Sequence, residues 1–262
     1  MLHHKIHTKE GATEWVVFVH GAGGSSSVWF RQIKSFSQEF NLLLIDLRGH
    51  GKSESIEEIN AKKDYSFEAI AKEIIEVVDY YQIKNAHFVG VSLGTIIIRQ
   101  IADIDASYIK SMILTGAVTR LNIKSRFLLR MGRNLKSILP NMVLYKLFAY
   151  IIMPKKNHAK SRFIFIREAE KVAKKEFLRW FSLTAQLASY LQYLYEKDLG
   201  IPTLYIMGEE DHLFLEPVKQ LVNKMKNAKL QIVEKCGHVV NIEQAEAFNA
   251  ISIQFIKQPI TA

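Results

Sequence analysis

Three side chains in this sequence, Ser92, Asp211 and His238, could do chemistry together. Ser92 is the centre of Gly90-Val91-Ser92-Leu93-Gly94. This G-x-S-x-G pattern follows an apolar run at 86–89 and precedes a helix-like stretch at 95–102. A strand-to-helix turn this tight strains the serine backbone. It also leaves no room for side chains two positions to either side, and glycine removes those collisions. The hydroxyl would then stand above a sheet at a helix N-terminus, where the dipole and free N–H groups favour developing negative charge. Asp211 and His238 each follow another apolar run, at 202–207 and 229–233. A serine becomes a useful nucleophile when an imidazole takes its proton, and a carboxylate can hold that imidazole in the right tautomer. The chemistry on offer is acyl transfer. Taken singly, the serine motif also describes an ordinary turn with a capping serine, and Glu209, Glu210 and His212 stand beside Asp211 as alternatives.

The elements that must position these groups are legible as alternating runs. Residues 14–19 and 41–45 are continuous, largely β-branched or leucine-rich stretches, the pattern of strands buried on both faces of a parallel sheet. Residues 86–89, 110–115, 202–207 and 229–233 add four more. Ser66 is placed to cap a helix reaching about Tyr81, with Glu68 in its first turn and Ile70, Ile74, Val77 and Val78 on one face. Helices are also expected from Val28, over 217–225 and over 241–255. Strands alternating with helices imply a parallel sheet with right-handed crossovers, an α/β fold in which functional residues gather where strands end. The His20-Gly21-Ala22-Gly23-Gly24 loop lacks the endings of a phosphate-binding or dinucleotide loop, so its natural role is to present backbone N–H groups.

Between 118 and 197 the rhythm changes. No strand is convincing there. Ile123, Phe127, Leu128, Met131, Leu135, Ile138 and Leu139 fall at helical spacing, Pro140 and Pro154 interrupt, and two further helices are expected near 162–176 and 177–195. Residues 119–180 carry 16 Lys+Arg against 3 Asp+Glu, a net +13, whereas the remainder holds 19 against 23, a net −4. The basic character of the chain, +9 overall, therefore belongs to this segment. A solvated helical surface explains it most simply. Contact with an anionic membrane or an acidic substrate is the alternative, and no nucleic-acid module accompanies the charge.

Taken in order, the motifs resemble the α/β-hydrolase family over nearly the whole chain. The matching pieces are His20-Gly21-Ala22-Gly23-Gly24, Asp46-Leu47-Arg48-Gly49-His50-Gly51-Lys52-Ser53, the serine motif, Gly208-Glu209-Glu210-Asp211 and Gly237-His238. The order Ser, Asp, His is that of the family. The likeness is to capped members, among them esterases, C–C bond hydrolases and haloperoxidase-like enzymes. It implies a mostly parallel sheet flanked by helices, with residues 1–117 and 198–262 as the core and 118–197 as an inserted helical cap. It further implies Ser92 as nucleophile, His238 as base and Asp211 as its orienting acid, the spacing after Gly208 favouring Asp211 over its neighbours. The oxyanion would meet the backbone N–H groups of Ala22 and Leu93. Thr95 stands where many relatives carry a second glycine, which bears on packing and not on the nucleophile.

The remaining candidates have plainer readings. His20 braces the glycine-rich loop, and His3, His4 and His7 make a surface run. Cys236, the single cysteine, is a packed thiol, consistent with a reducing, cytoplasmic setting. No spacing suggests a metal, and no cofactor is expected. The apolar surplus of the inserted segment points to a pocket for an apolar acyl group. The expected activity is hydrolysis of small-molecule carboxylic esters through an acyl-enzyme. A C–C bond or thioester hydrolase with the same triad, or a ligand-binding signalling protein on the same fold, are the alternatives.

Overall fold

The computed structural model describes residues 1–53, 65–136 and 138–258. Seven strands form one sheet: β1 (His4–His7), β2 (Trp15–Val19), β3 (Asn41–Ile45), β4 (Ala86–Val91), β5 (Ile109–Thr115), β6 (Thr203–Gly208) and β7 (Ala228–Val233). Their order is β1-β3-β2-β4-β5-β6-β7, and every neighbouring pair is parallel except β1 with β3. The continuous apolar runs follow from burial on both faces. In β2 and β3, Val16, Phe18, Leu42 and Leu44 face one side of the sheet, Val17, Val19, Leu43 and Ile45 face the other, and all eight are fully buried.

One face is covered by α1 (Phe30–Phe36) and α11 (Ala245–Lys257), with Trp29, Phe36 and Phe248 among its largest buried side chains. The other is covered by α2 (Phe67–Tyr80), α3 (Leu93–Ile104), α8 (Leu187–Glu196) and α9 (Leu215–Val222). The Ser66 hydroxyl accepts the N–H of Ala69 and caps α2, whose buried face includes Ile70, Ile74, Val77 and Val78. The chain runs outward from β2 to β3, then crosses back so that β4 lies on the other side of β2. Such a switch leaves a crevice at the carboxyl ends of β2 and β4. The 20–27 loop and Ser92 sit at those two ends.

Strand β1 differs from expectation. His3, His4 and His7 read as a surface run, because only Ile6 in that stretch is aliphatic. They instead belong to or flank an antiparallel edge strand, His4 opposite Ile45. A short edge strand carrying polar side chains discourages further pairing, which also weakens its signature. His3 then does structural work: its Nδ1 lies 2.9 Å from Asp46 Oδ2, and its N–H donates to Ser53 Oγ at 2.8 Å.

Between β5 and β6 lie α4 (Ile123–Leu135), α5 (Asn141–Ile152), α6 (Ala159–Ala169), α7 (Lys174–Ser182) and α8, with no strand among the described residues. Asn122 caps α4 by accepting the N–H of Ser125, and Pro140 and Pro154 bracket α5. The interruption expected near 176 falls instead at 170–173. No glycine or proline marks it. Glu176 and Trp180, one turn apart, are both buried against the 46–53 turn, and α7 runs unbroken through them. Ile123 and Phe127, at apolar spacing, stand in solvent, because α4 buries the neighbouring stripe of Ser125, Leu128 and Gly132.

Candidate active site

Ser92 joins β4 to α3 with φ 53° and ψ −118°. A non-glycine residue is strained there, and such strain persists only where the surroundings enforce it. The flanking glycines show what enforces it. A Cβ on Gly94 would lie 2.3 Å from the Val19 carbonyl oxygen, and one on Gly90 would lie 2.6 Å from Ile98 Cδ1. Thr95, in place of a small residue, is accommodated without an orphaned hydroxyl. Its Oγ1 donates to the Ser92 carbonyl at 2.6 Å and accepts from the Val118 N–H at 3.4 Å.

His238 Nε2 lies 3.0 Å from Ser92 Oγ, and His238 Nδ1 lies 2.8 Å from Asp211 Oδ2. With Asp211 as acceptor, the proton belongs on Nδ1, which leaves Nε2 free to accept from the serine. Asp211 Oδ1 accepts the N–H of Phe214 at 3.1 Å, and both Asp211 and His238 are buried. The two loops carrying them touch: a Cβ on Gly208 would lie 2.0 Å from the Gly237 carbonyl oxygen, and Glu210 N–H donates to the Cys236 carbonyl. The neighbours of Asp211 are engaged elsewhere. Glu209 accepts from the Lys235 N–H, and His212 is exposed. Cys236 is fully buried, and burial pushes its thiol well above the ordinary range, so it is no nucleophile.

Glu210 belongs to a polar latch that sequence reasoning missed. It accepts from Asn157 Nδ2 at 2.8 Å, Lys155 Nζ at 2.9 Å and His158 Nε2 at 2.7 Å. Those donors hold its carboxyl at about 2, the Asn157 bond contributing most. His158 is fully buried, and Ser161 donates to Glu243, which also accepts the Gly237 N–H at 2.6 Å. Residues 155–161 thus fasten the segments immediately preceding both Asp211 and His238. Nothing in the local sequence around His158 announces this contact, which joins residues some fifty to eighty positions apart.

The glycine-rich loop lies against the serine, with Gly21 so close that a Cβ there would meet Ser92 Cβ at 3.2 Å. Three groups hold the loop. His20 Nδ1 donates to the Gly21 carbonyl at 2.7 Å, while its Nε2 accepts the Leu47 N–H at 2.9 Å. His50 Nε2 accepts the Gly23 N–H at 3.0 Å, its Nδ1 donating to the Arg48 carbonyl. Tyr145, from α5, donates its hydroxyl to the Ala22 carbonyl at 2.5 Å. Burial pushes both imidazoles down, that of His50 to about 3, so both are neutral supports and neither is a base near neutral pH. Leu93 opens α3, where the first N–H groups of a helix have no intrahelical acceptor, and no acceptor holds the Ala22 N–H among the described residues. Neither N–H group has an acceptor among the described residues.

Two cavities meet at Ser92 and His238. The smaller, about 40 Å³, runs toward Val28, Ile164 and Ile242. The larger, about 200 Å³, lies under the inserted helices against Tyr145, Phe148, Phe165, Phe177, Trp180 and Phe181. Apart from the Ser92–His238 pair and the Tyr145 hydroxyl, its polar side chains are His50 and Thr184, and no cationic side chain lines it. Among the described residues no three His, Cys, Asp or Glu side chains gather to hold a metal.

Comparison with known proteins agrees with this fold. A family profile described as alpha/beta hydrolase fold matches residues 14–245. The protein named "Putative carbamate hydrolase RutD" of Stutzerimonas stutzeri is 25% identical over 264 residues, covering 98% of this chain and 97% of that one. A 2-hydroxy-6-oxononadienedioate/2-hydroxy-6-oxononatrienedioate hydrolase of Paraburkholderia phymatum is 26% identical, covering 94% and 88%. Among solved structures, the enol-lactonase of Burkholderia xenovorans LB400 superposes with a TM-score of 0.80 at 21% identity, covering 98% of this chain and 96% of the other.

Proposed function

The chain belongs to the α/β-hydrolase family, and from that premise we propose that it is a serine hydrolase of carboxylic esters with apolar acyl groups. Ser92, His238 and Asp211 are its triad, the N–H groups of Ala22 and Leu93 its oxyanion hole, and residues 118–197 a helical cap on a core of 1–117 and 198–262. The hydrogen-bonded series from Ser92 Oγ through His238 to Asp211, beneath an apolar cavity, carries this reading.

The steps follow from the geometry. His238 Nε2 takes the Ser92 proton as Oγ attacks the ester carbonyl, and Asp211 stabilises the imidazolium that forms. The carbonyl oxygen, now negative, receives the two backbone N–H bonds. Collapse expels the alcohol, which leaves with the proton from His238, and the acyl group stays on Ser92. Water, deprotonated by the same imidazole, attacks the acyl-enzyme, and the acid departs as Ser92 regains its proton.

A C–C bond hydrolase using the same triad is the second reading, and it draws on the similarity to the nonadienedioate hydrolase. The larger cavity itself favours an apolar group: a carboxylate held within it would meet no cation, which is costly in an apolar site. A cytoplasmic setting suits the single buried thiol. Contact with an anionic membrane through the basic segment draws on charge alone; no helix among the described residues is long and apolar enough to cross a membrane. The test is a fluorophosphonate probe. It labels the wild type, and Ser92→Ala abolishes both labelling and turnover of 4-nitrophenyl butyrate. Turnover that persists in the variant refutes the assignment.

A further inference from the structure

Outside the larger cavity lies an open groove of about 500 Å³ between α4 and the start of α8. Three arginines line it, Arg126, Arg130 and Arg133. Positions i, i+4 and i+7 place them on one face of α4. None of the three pairs with a carboxylate among the described residues; Arg126 Nε donates to the Leu121 carbonyl at 3.2 Å. Elsewhere on the inserted helices cations do find carboxylates, as Arg179 does with Glu176 and Lys171 with Glu168. The groove and the larger cavity share two lining residues, Leu129 and Thr184, so the two adjoin with those side chains between them. Thr184 Oγ1 donates to the Phe181 carbonyl. The apolar chamber at Ser92 therefore borders an outer groove whose charged side chains, among the described residues, are three cations.

We propose that the Arg126–Arg130–Arg133 groove is an anion subsite of the substrate pocket, and that this hydrolase prefers esters whose apolar acyl chain ends in a carboxylate or phosphate. This rests on the ester reading above. The small group of the ester fits the 40 Å³ limb, the acyl chain fills the apolar chamber, and the terminal anion emerges among the arginines. Guanidinium groups suit both anions through bidentate hydrogen bonds. Because the arginines are exposed, water and salt screen them, and the gain is modest.

The geometry gives this proposal a distinctive signature in chain length. A short acyl chain leaves its terminal anion inside the apolar chamber, where it is penalised. A long chain delivers it to the groove, where it is favoured. The experiment compares monomethyl esters of dicarboxylic acids with methyl esters of monocarboxylic acids, carbon for carbon from four to ten. The ratio of kcat/KM values, charged over neutral, should start well below one and rise above one with length. Arg130→Gln/Arg133→Gln should lower the long-chain ratio about five-fold through KM, as should 0.5 M NaCl in the wild type. The short-chain penalty should persist. A control that removes two lysines on the opposite end of the sheet, Lys226→Gln/Lys229→Gln, should leave the ratio unchanged. Calorimetric binding of the same esters to Ser92→Ala reads the ratio without turnover, so failure of the ester reading and failure of the anion subsite are distinguishable. A ratio that never rises with length overturns the proposal. So does a rise that survives the arginine substitutions, or a charge preference that exists only on vesicles of anionic phospholipid, which would make the face a membrane contact.

Discussion

His238 at the strand ends sits between two hydrogen bonds of 3.0 and 2.8 Å, and each of its partners is fixed by backbone geometry of its own. Across the cavity, the inserted helices face the same serine with rings. Tyr145 lies on Phe165 at 4.6 Å between centroids, and Phe177 on Phe181 at 5.9 Å. The first region is built from directional polar bonds, in which displacement of one atom breaks function. The second is built from dispersion and apolar burial, which respond to volume and tolerate swaps that conserve it. One region should therefore govern whether reaction occurs and the other what is accepted. The contrast is quantitative and can be broken by experiment.

The largest effect expected is at Asp211. Asp211→Asn keeps the size of the side chain but presents an N–H or a neutral oxygen to His238 Nδ1, which disturbs the tautomer and removes the charge that stabilises the imidazolium. Loss of kcat should be about 10⁴-fold. Phe177→Leu, in the wall opposite, should change kcat/KM on the best substrate by less than about ten-fold while shifting the preferred acyl length, as a pocket measured in methylenes would. Steady-state kinetics over an acyl series checks both. Comparable losses at the two positions would dissolve the distinction.

Acid should attack the strand-end region specifically. His20 and His50 are buried and neutral, and burial lowers both imidazoles, His50 to about 3 against an ordinary 6.5. The unfolded chain therefore binds protons that the folded chain refuses once pH falls below 6.5. Stability is complete above that value and is lost progressively as pH falls, for His50 down to about pH 3 and at up to about 1.4 kcal/mol per pH unit. Between pH 6.5 and 5 His50 should cost roughly 1 to 2 kcal/mol, and His20 acts in the same direction. Urea titrations across that range measure the slope. His50→Gln, whose amide can still accept from Gly23, should flatten the slope by about one proton. An unchanged slope in that variant would mean that His50 is not the group being protonated.

The two regions also differ in how much of each was legible. Apolar runs, each ending in a glycine-rich or polar turn, marked the six parallel strands; in the five inner ones burial on both faces leaves few polar positions to confuse the pattern, whereas β7, at the edge, carries Lys229 and Gln231. Strand β1 left no such mark, since an edge strand of two histidines, a lysine and one isoleucine has only one apolar side chain to show. Ser92, Asp211 and His238 were legible as candidates because each follows directly on a strand, and the structure brings them within hydrogen-bonding reach. Tyr145, His158 and Glu210 were not. Their partners lie 123, 52 and 53 to 55 positions away, and the arrangement depends on how the helices settle over the sheet. Spacing within α4 likewise suggested that Ile123 and Phe127 are buried, although only one of its two apolar stripes meets the core.

Tyr145 is where the two regions touch, and it sets the smallest and most discriminating effect. Its ring belongs to the apolar wall, packed at a tilt against Phe165 and Phe177, while its hydroxyl donates to the Ala22 carbonyl in the loop proposed to hold the oxyanion. Tyr145→Phe keeps the ring and removes the donor. Direct loss of an oxyanion donor costs 10²- to 10³-fold in kcat. Tyr145 only orients the peptide that neighbours the donor, so its share should be that of one ordinary buried hydrogen bond, about 1 kcal/mol, or three- to ten-fold in kcat. KM for apolar esters should hold, because the ring that contacts the acyl chain is intact. The rate of fluorophosphonate labelling should fall in parallel with kcat, since that reaction develops negative charge on oxygen at the same place. Tyr145→Leu should add a rise in KM that Tyr145→Phe lacks. If Tyr145→Phe leaves both rates untouched, the residue belongs wholly to the wall, and the helices between β5 and β6 shape the substrate without steadying the chemistry.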